Sequence, residues 1–161
     1  MDHLWSPWRM EYIRSGSEER GVTDGACVFC VIPDREPERV LATGATAYIV
    51  LNKFPYNPGH LLVVPLRHVG DLEELSSDEL LEVQMLIQRS VRALREDQPH
   101  GFNVGLNLGA GAGAGIPEHV HWHVVPRWNG DTNFMSVVGE TRVLPELLAD
   151  TARRLAPRFA E

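Results

Sequence analysis

Basic residues are scarce in this chain. Its 15 Lys and Arg stand against 22 Asp and Glu, which gives a formal net charge of −7. General nucleic-acid binders normally present a basic surface, so this balance predicts no nucleic-acid partner. A small phosphorylated ligand is compatible with it, because one pocket can be positive within an acidic protein. Lys53, Arg67 and Arg127 are the candidate cations for such a pocket, and a solvated surface is their alternative place.

Long apolar runs and cysteines are scarce as well. No run of eighteen apolar residues occurs, so neither a membrane span nor a membrane partner is expected. The N-terminal stretch "MDHLWSPWRMEYIR" has no apolar core and no small-residue cleavage site, which predicts a cytoplasmic protein. In that compartment two cysteines indicate thiols or metal ligands rather than a structural disulfide.

The 161 residues suit one domain, and hydrophobic periodicity predicts its elements. Strands are expected at 39–42, 46–52, 60–65, 102–109 and 119–125. A helix is expected over 77–97, where Ser76 and Glu79 are spaced as a capping box, and a second near 144–158. Residues 1–35 are expected to be irregular. The sequence therefore predicts an α+β domain with an antiparallel sheet of about five strands and two main helices.

The stretch "GIPEHVHWHVVPRW" holds three of the seven histidines, at strict alternation. On a strand, residues two apart share a face and lie roughly 7 Å from each other. His119, His121 and His123 would then form one row, with Val120 and Trp122 pointing into a core. A solvated face, a metal site and a nucleophilic imidazole that attacks phosphorus are the three interpretations. The last needs a neighbouring histidine or a backbone carbonyl to fix the tautomer of the ring.

A glycine loop, "GAGAGAG" at 109–115, stands just before this row. Without side chains, its N–H groups can turn toward an anion, which favours phosphate chemistry over a pure metal role. Asn107 before the loop and Arg127 after the histidines add a neutral and a charged donor. A flexible turn is the alternative interpretation of the loop.

These motifs together resemble those of the histidine triad (HIT) family. "HVHWHVV" is similar to its His-x-His-x-His signature, and "LNKFPYNPGHLLVVPLRH" and "FNVGLNLG" are similar to its preceding segments. The stretches "WSPWRMEYI" and "PRWNGDTNF" resemble bacterial members that cleave diadenosine tetraphosphate with phosphate into ADP and ATP. The resemblance implies a HIT fold over 27–135, an N-terminal arm at 1–26 and a C-terminal helical extension at 136–161.

The resemblance also implies ligands, partners and residue roles. Adenine nucleotides, dinucleoside polyphosphates and inorganic phosphate would be the ligands of a homodimer or higher homo-oligomer. His121 would be the nucleophile that forms a nucleotidyl-histidine, with His123 bonding the phosphate or orienting His121. His60 would support the catalytic histidine. Asn52 would lie at the ribose hydroxyls, and Asn107 would contact the phosphate or the leaving group.

One stretch departs from the family pattern. Many members carry Gly-Gln-Ser/Thr before the triad, whereas this chain has "AGIP" with Ile116. Backbone amides of Gly113 and Gly115 would then replace side-chain contacts to phosphate, which disfavours the branch that hydrolyses nucleoside phosphoramidates. Trp128, after the histidine row, would either stack on adenine or pack beneath its loop.

The pair Cys27 and Cys30, spaced C-x-x-C, is ambiguous by itself. A redox pair, half of a zinc site and two buried thiols are the possibilities, and no thioredoxin-like βαβ pattern lies nearby to favour redox chemistry. In branches of the HIT family such a pair binds zinc together with two histidines. The resemblance therefore implies a closed structural zinc site of Cys27, Cys30, His68 and His119.

Other functions stay open at this stage. The triad is compatible with hydrolysis of phosphoramidates or other dinucleotides, and with a non-catalytic module that binds adenine nucleotides. It is also compatible with a zinc hydrolase that uses the triad itself as metal ligands.

Overall fold

The computed structural model describes residues 26–132 and 144–160. Within them, five strands form one antiparallel sheet in the order β1-β2-β3-β5-β4. The strands are β1 (Val40–Thr43), β2 (Ala47–Leu51), β3 (Leu61–Pro65), β4 (Gly101–Leu106) and β5 (Trp122–Arg127). The α-helices are α1 (Val28–Arg35), α2 (Ser77–Leu94) and α3 (Leu148–Leu155). The predicted α+β class with a five-stranded antiparallel sheet is confirmed.

The central strands β2 and β3 are buried along their whole length. Alternate residues of the two strands face a large core that contains apolar residues of α2. The residues between them face a smaller core under α1, where Phe29 and Ile32 pack with Tyr48 and Val50. Both faces of these strands are therefore covered by apolar side chains. Polar side chains that could form a site lie at the ends of the strands and at the start of β5.

Helix α2 begins as the sequence predicts. The Ser76 hydroxyl accepts the N–H of Glu79, and the Glu79 carboxylate accepts the N–H of Ser76 at 2.8 Å. The α-helix ends at Leu94 instead of continuing to 97, and a 3-10 turn follows it. Gln98 then adopts a left-handed conformation with φ +52°, a common end of a helix, and Pro99 after it does not continue the helix.

Helix α1 contradicts the expectation that residues 1–35 are irregular. Its eight residues are rich in β-branched side chains and contain Pro33, and Cys27 makes no side-chain cap, so local propensity is weak. Burial of Phe29 and Ile32 against the sheet stabilises the helix instead.

Strand β5 is displaced from the predicted range 119–125. A turn precedes it, in which Val120 donates its N–H to the carbonyl of Val69 at 2.7 Å. The strand continues through Pro126 because β3 pairs with it only as far as Val124, so the missing proline N–H costs no bond to β3. Its other neighbour, β4, ends at Leu106, earlier than the predicted 109.

The C-terminal segment packs on the same core. Leu155 of α3 and Phe159 of the 3-10 turn after it are buried there, and Arg154 and Arg158 bind Asp97 beyond the end of α2. The predicted helix at 144–158 is thus confirmed in a shorter form. The N-terminal arm expected at 1–26 lies outside the described residues, save Ala26. No helix in the described ranges has the length and apolarity needed to cross a membrane.

Candidate functional site

The three alternating histidines lie on one face of the chain, as the sequence predicts. Val120, Trp122 and Val124 point into the large core. The rings of His119 and His121 instead contact the ring of Phe29 on α1, with centroids 5.5 and 4.7 Å away. Helix α1, which the sequence analysis missed, therefore covers His119 and His121.

His121 has the environment of a neutral nucleophile. Its Nδ1 lies 2.8 Å from the backbone carbonyl oxygen of His119. Because a carbonyl only accepts, Nδ1 carries the proton and Nε2 carries the lone pair. The ring is 5% exposed, and this burial lowers the pKa of His121, although the hydrogen bond to the carbonyl opposes the shift. A backbone carbonyl thus supplies the tautomer control that nucleophilic chemistry requires.

His60 and His123 form a hydrogen-bonded pair with a defined direction. The backbone N–H of Tyr56 donates to His60 Nδ1 at 3.0 Å, so that nitrogen is unprotonated. The His60 proton is then on Nε2, which donates to His123 Nδ1 at 2.9 Å. It follows that His123 carries its own proton on Nε2. His60 is fully buried, and Tyr56 stacks over the ring of His123 at 5.7 Å.

The side chain of Asn52 contacts His60 of this pair. Its Oδ1 accepts the N–H of Phe54 at 3.1 Å, which orients the amide so that Nδ2 faces His60 Nδ1 at 3.2 Å. The same Nδ2 is 3.5 Å from His60 Nε2, so the Asn52 amide lies against the His60 ring, and the hydrogen bond to Nδ1 is the one from the Tyr56 N–H. Asn52 consequently supports the histidine pair in addition to the ribose contact that the resemblance implies.

One cavity of about 440 Å³ brings most of the predicted residues together. The predicted residues that line it are Asn52, Lys53, Asn107, Gly113, Gly115, His121 and His123. Its apolar wall is Val28, Phe29 and Ile32 of α1, none of which the sequence analysis identified. The only signal for them was the spacing of apolar residues around the C-x-x-C pair. The cavity thus has a histidine end, a glycine loop and an apolar wall.

The conformation of the glycine loop differs from the predicted one, in which its N–H groups turn toward an anion. Residues 110–112 form a 3-10 turn that ends at Gly113, whose φ is +88°. The N–H of Gly113 donates to the carbonyl of Ala110 at 3.0 Å, so in this conformation it is not directed at an anion. The Gly113 N–H is thus directed into the loop, although the residue lines the cavity, and its amide contact with phosphate stays a prediction.

Two of the three predicted pocket cations are used elsewhere. Arg67 pairs with Glu79 at 2.9 Å, and Arg127 pairs with Asp131 at 2.6 Å; neither lines the cavity. Lys53 does line it, and so does Arg39, which the sequence analysis missed. Burial of the Arg39 guanidinium is compensated by two hydrogen bonds to the carbonyl of Leu51, at 3.1 and 2.8 Å, and by an ion pair with Glu36 at 2.5 Å.

Trp128 is not among the residues that line the cavity. It follows β5, whereas His121 precedes that strand, and seven residues of extended chain span roughly 20 Å. The backbone N–H of Trp128 donates to Asp131 Oδ2 at 3.2 Å. Within one chain, the structure does not bring Trp128 together with the other predicted nucleotide contacts.

The four predicted metal ligands lie together beside the histidine row. One ligand atom from each of Cys27, Cys30, His68 and His119 lies within 4.8 Å of the others. His119 Nδ1 is 3.4 and 3.6 Å from the two sulfurs, and His68 Nδ1 is 3.4 Å from Cys30. Two thiolates and two imidazoles are the donors of closed tetrahedral zinc sites. We call this group the metal cluster.

The protonation pattern of the metal cluster fits a cation. His119 Nε2 donates to the carbonyl of Pro65 at 2.9 Å, which leaves the Nδ1 lone pair directed at the sulfurs. Burial lowers the pKa of His119 to about 4, so its ring is a neutral ligand. Desolvation, with a smaller effect of Cys27, raises the pKa of Cys30 to about 11. A divalent cation would displace the thiol protons that these surroundings retain.

Comparison with known proteins decides the family. A model of the HIT domain matches residues 34–130. The chain belongs to the HIT family. The AP-4-A phosphorylase of Mycobacterium tuberculosis is 45% identical over 166 aligned residues, which cover 99% of this chain and 85% of that protein. The adenosine 5'-monophosphoramidase hnt1 of Schizosaccharomyces pombe is 31% identical over 105 residues, covering 65% of this chain and 74% of that protein.

A solved structure of the HIT family matches most of the fold. The Zn-bound histidine triad family protein from Mycobacterium smegmatis superimposes with a TM-score of 0.68 at 30% identity, over 83% of this chain and 93% of that one. These findings confirm the resemblance on which the sequence analysis relied, and with it the HIT fold.

Proposed function

We propose that this HIT protein is a dinucleoside polyphosphate phosphorylase that converts diadenosine tetraphosphate and phosphate into ADP and ATP. The observation that carries the proposal is the state of His121, a buried and neutral imidazole that lines the cavity and has its lone pair on Nε2. The similarity to a mycobacterial AP-4-A phosphorylase over nearly the whole chain supports the choice of substrate.

The first step is attack of His121 Nε2 on the α-phosphorus of the dinucleotide. The N–P bond forms, the P–O bond to the leaving ATP breaks, and an adenylyl group stays on His121. The positive charge that develops on the imidazole is stabilised by the hydrogen bond that His121 Nδ1–H donates to the carbonyl of His119. His123 Nε2–H is the nearby donor for the phosphoryl oxygens, or for the leaving oxygen, because His60 holds the His123 proton on that nitrogen.

The second step is attack of inorganic phosphate on the adenylyl phosphorus. The new P–O bond gives ADP, and the broken P–N bond returns the electron pair to His121 Nε2. Lys53 and Asn107 line the cavity and supply a cation and a neutral donor for the polyphosphate. The adenine is assigned to the apolar wall of α1, and the ribose hydroxyls to Asn52.

Zinc in the metal cluster is proposed as a structural cofactor. Cys27, Cys30, His68 and His119 would hold it, and it would supply a cross-link between α1 and the histidine row. Neither chemical step uses the metal. The Zn-bound relative and the directed lone pair of His119 support this assignment.

We further propose that the protein works as a homodimer or a larger homo-oligomer. Within the described residues, the outer edge of β4 pairs with no strand, and its middle residues are exposed. An edge of this kind suits antiparallel pairing with a second copy across a two-fold axis. The mass in solution tests this part of the proposal. The cytoplasmic location expected from the N-terminal sequence stays a prediction.

Product analysis on diadenosine tetraphosphate, with and without inorganic phosphate, tests the function. ADP and ATP that form only when phosphate is present are the expected result. AMP and ATP without phosphate would make the protein a hydrolase with the same His121 chemistry. No turnover under either condition would contradict the proposal.

Hydrolysis of nucleoside phosphoramidates is the second candidate. The similarity to the monophosphoramidase of Schizosaccharomyces pombe favours it. Against it stands Ile116, an apolar residue that lines the cavity where many family members carry a polar side chain. Release of AMP from adenosine phosphoramidate, faster than any reaction of the dinucleotide, would favour this candidate.

A further inference from the structure

A cluster of polar residues outside the cavity joins the end of β5 to the loop between β2 and β3. Its centre is the carboxylate of Asp131, which takes a two-pronged ion pair from Arg127, at 2.6 Å from Nε and 2.8 Å from Nη2. These hydrogen bonds hold the pKa of Asp131 well below its usual range. Asp131 is therefore a fixed, charged acceptor.

Asn57 connects this acceptor to the loop. The Asn57 side chain is buried, with 2% of the residue exposed. Its Nδ2 donates to Asp131 Oδ2 at 2.7 Å and to the carbonyl of Pro126 at 2.8 Å. Both amide protons are thus used by β5 and the turn after it, which fixes the position of Asn57 in the loop.

The loop in turn determines the state of His60. The carbonyl of Asn57 accepts the N–H of His60 at 3.1 Å, and the N–H of the preceding residue, Tyr56, donates to His60 Nδ1 at 3.0 Å. The second bond is the one that puts the His60 proton on Nε2, toward His123. A displacement of residues 56 and 57 would therefore release the tautomer of His60.

We propose that Asp131 is a positioning residue for the His60–His123 pair, acting through Asn57. It touches no reacting atom. It holds the loop so that the Tyr56 N–H meets His60 Nδ1, and His60 then presents His123 as a donor toward the cavity. The catalytic consequence rests on the proposed function, whereas the effect on the His60 tautomer does not.

A purely structural role for Asp131 is the competing explanation, and Asp97 provides the matched control. Asp97 also accepts from two arginines, Arg154 and Arg158, but these ion pairs join the end of α2 to the C-terminal segment and do not involve the loop. If general stability alone mattered, loss of either carboxylate would change activity in the same way.

The test compares Asp131→Ala, Asn57→Ala, the double variant and Asp97→Ala with the wild type. The ¹⁵N shifts of the His60 and His123 ring nitrogens report their tautomers, and AMP binding reports whether the cavity is intact. In Asp131→Ala and in Asn57→Ala we expect His60 to lose its single-tautomer signature. The kcat should fall about ten- to hundredfold, while the Kd for AMP changes by less than about threefold. The kcat of the double variant should equal that of the lower single variant, because Asp131 acts through Asn57 and the two effects are not additive.

Wild-type nitrogen shifts in a folded Asp131→Ala protein would overturn the proposal, as would an equal loss of kcat in Asp97→Ala. If Asp131→Ala does not fold, Asn57→Ala carries the same test, with unchanged His60 shifts as the contradicting result. A wild type that leaves diadenosine tetraphosphate uncleaved would refute the proposed function alone, since the nitrogen shifts need no turnover.

Discussion

At the scale of single residues, the histidine signature allowed the central site to be predicted, but not its hydrogen bonding. Alternation along an extended chain predicts that His121 and His123 share a face. It does not predict that the His119 carbonyl orients one ring and that Tyr56 orients the other through His60. Those contacts join residues up to 63 positions apart in sequence, as His60 and His123 are, and only the fold brings them together.

Replacement of His121 separates the proposed nucleophile from a metal ligand. We expect His121→Ala to lower turnover of diadenosine tetraphosphate by at least about 10³-fold, because the variant lacks the imidazole lone pair that attacks the α-phosphorus. Zinc content should match that of the wild type, since His121 is not part of the metal cluster. Metal analysis and steady-state kinetics measure the two effects. Loss of zinc together with activity would favour the zinc hydrolase that uses the triad as ligands.

At the scale of elements, the outcome of sequence analysis depended on whether the signal was local. The start of α2 is encoded by Ser76 and Glu79, three residues apart, and the structure has the capping box there. Helix α1 has no comparable signal, because its stability comes from packing against Tyr48 and Val50 on distant strands. Strand β5 was misplaced for a similar reason, since its start depends on the contact of Val120 with Val69.

The capping box of α2 makes a prediction about acid stability. Hydrogen bonds from Arg67, then from Ser76, lower the pKa of Glu79 to about 2. A carboxyl whose folded pKa is depressed stabilises the protein above its unfolded pKa, and the contribution disappears as pH falls through the folded value. Glu79→Gln should therefore cost up to about 1 kcal/mol of unfolding free energy near neutral pH, because Gln can still accept the Ser76 N–H but loses the ion pair with Arg67.

The pH dependence distinguishes this effect from general damage to the helix. Between about pH 5 and pH 2 the difference in unfolding free energy between wild type and Glu79→Gln should shrink toward zero. Urea unfolding at several pH values measures it. Glu73→Gln, the same change on an exposed side chain, is the control. A difference that is constant over this range would contradict the role of the ionised carboxylate.

At the scale of the whole molecule, the metal cluster joins two parts of the chain that the sequence keeps 89 residues apart, Cys30 and His119. The sequence alone left the C-x-x-C pair ambiguous, and the family resemblance was needed to choose its partners. The structure brings the four side chains together and leaves the His119 lone pair directed at the sulfurs. The same α1 segment forms the apolar wall of the cavity, so metal binding and cavity shape share one element.

Removal of zinc should consequently destabilise the fold. With free zinc a thousandfold above its Kd, binding contributes about 4 kcal/mol, which corresponds to a Tm shift of roughly 10 °C for a domain of this size. Thermal unfolding with and without a chelator measures the shift, and Cys30→Ser, with one ligand lost, should abolish most of it. An equal Tm with and without chelator, for a protein shown to contain zinc, would contradict a structural role.

Transfer of the adenylyl group through His121 can be observed by trapping the covalent intermediate. Wild-type protein is mixed with diadenosine tetraphosphate without phosphate, quenched at alkaline pH, digested and analysed by mass spectrometry. We expect one adenylyl group on the peptide that contains His121, lost as ADP when phosphate is added before the quench, and no adduct in His121→Ala. Production of ADP and ATP by a protein that never carries this adduct, or an adduct at another residue, would exclude His121 as the nucleophile.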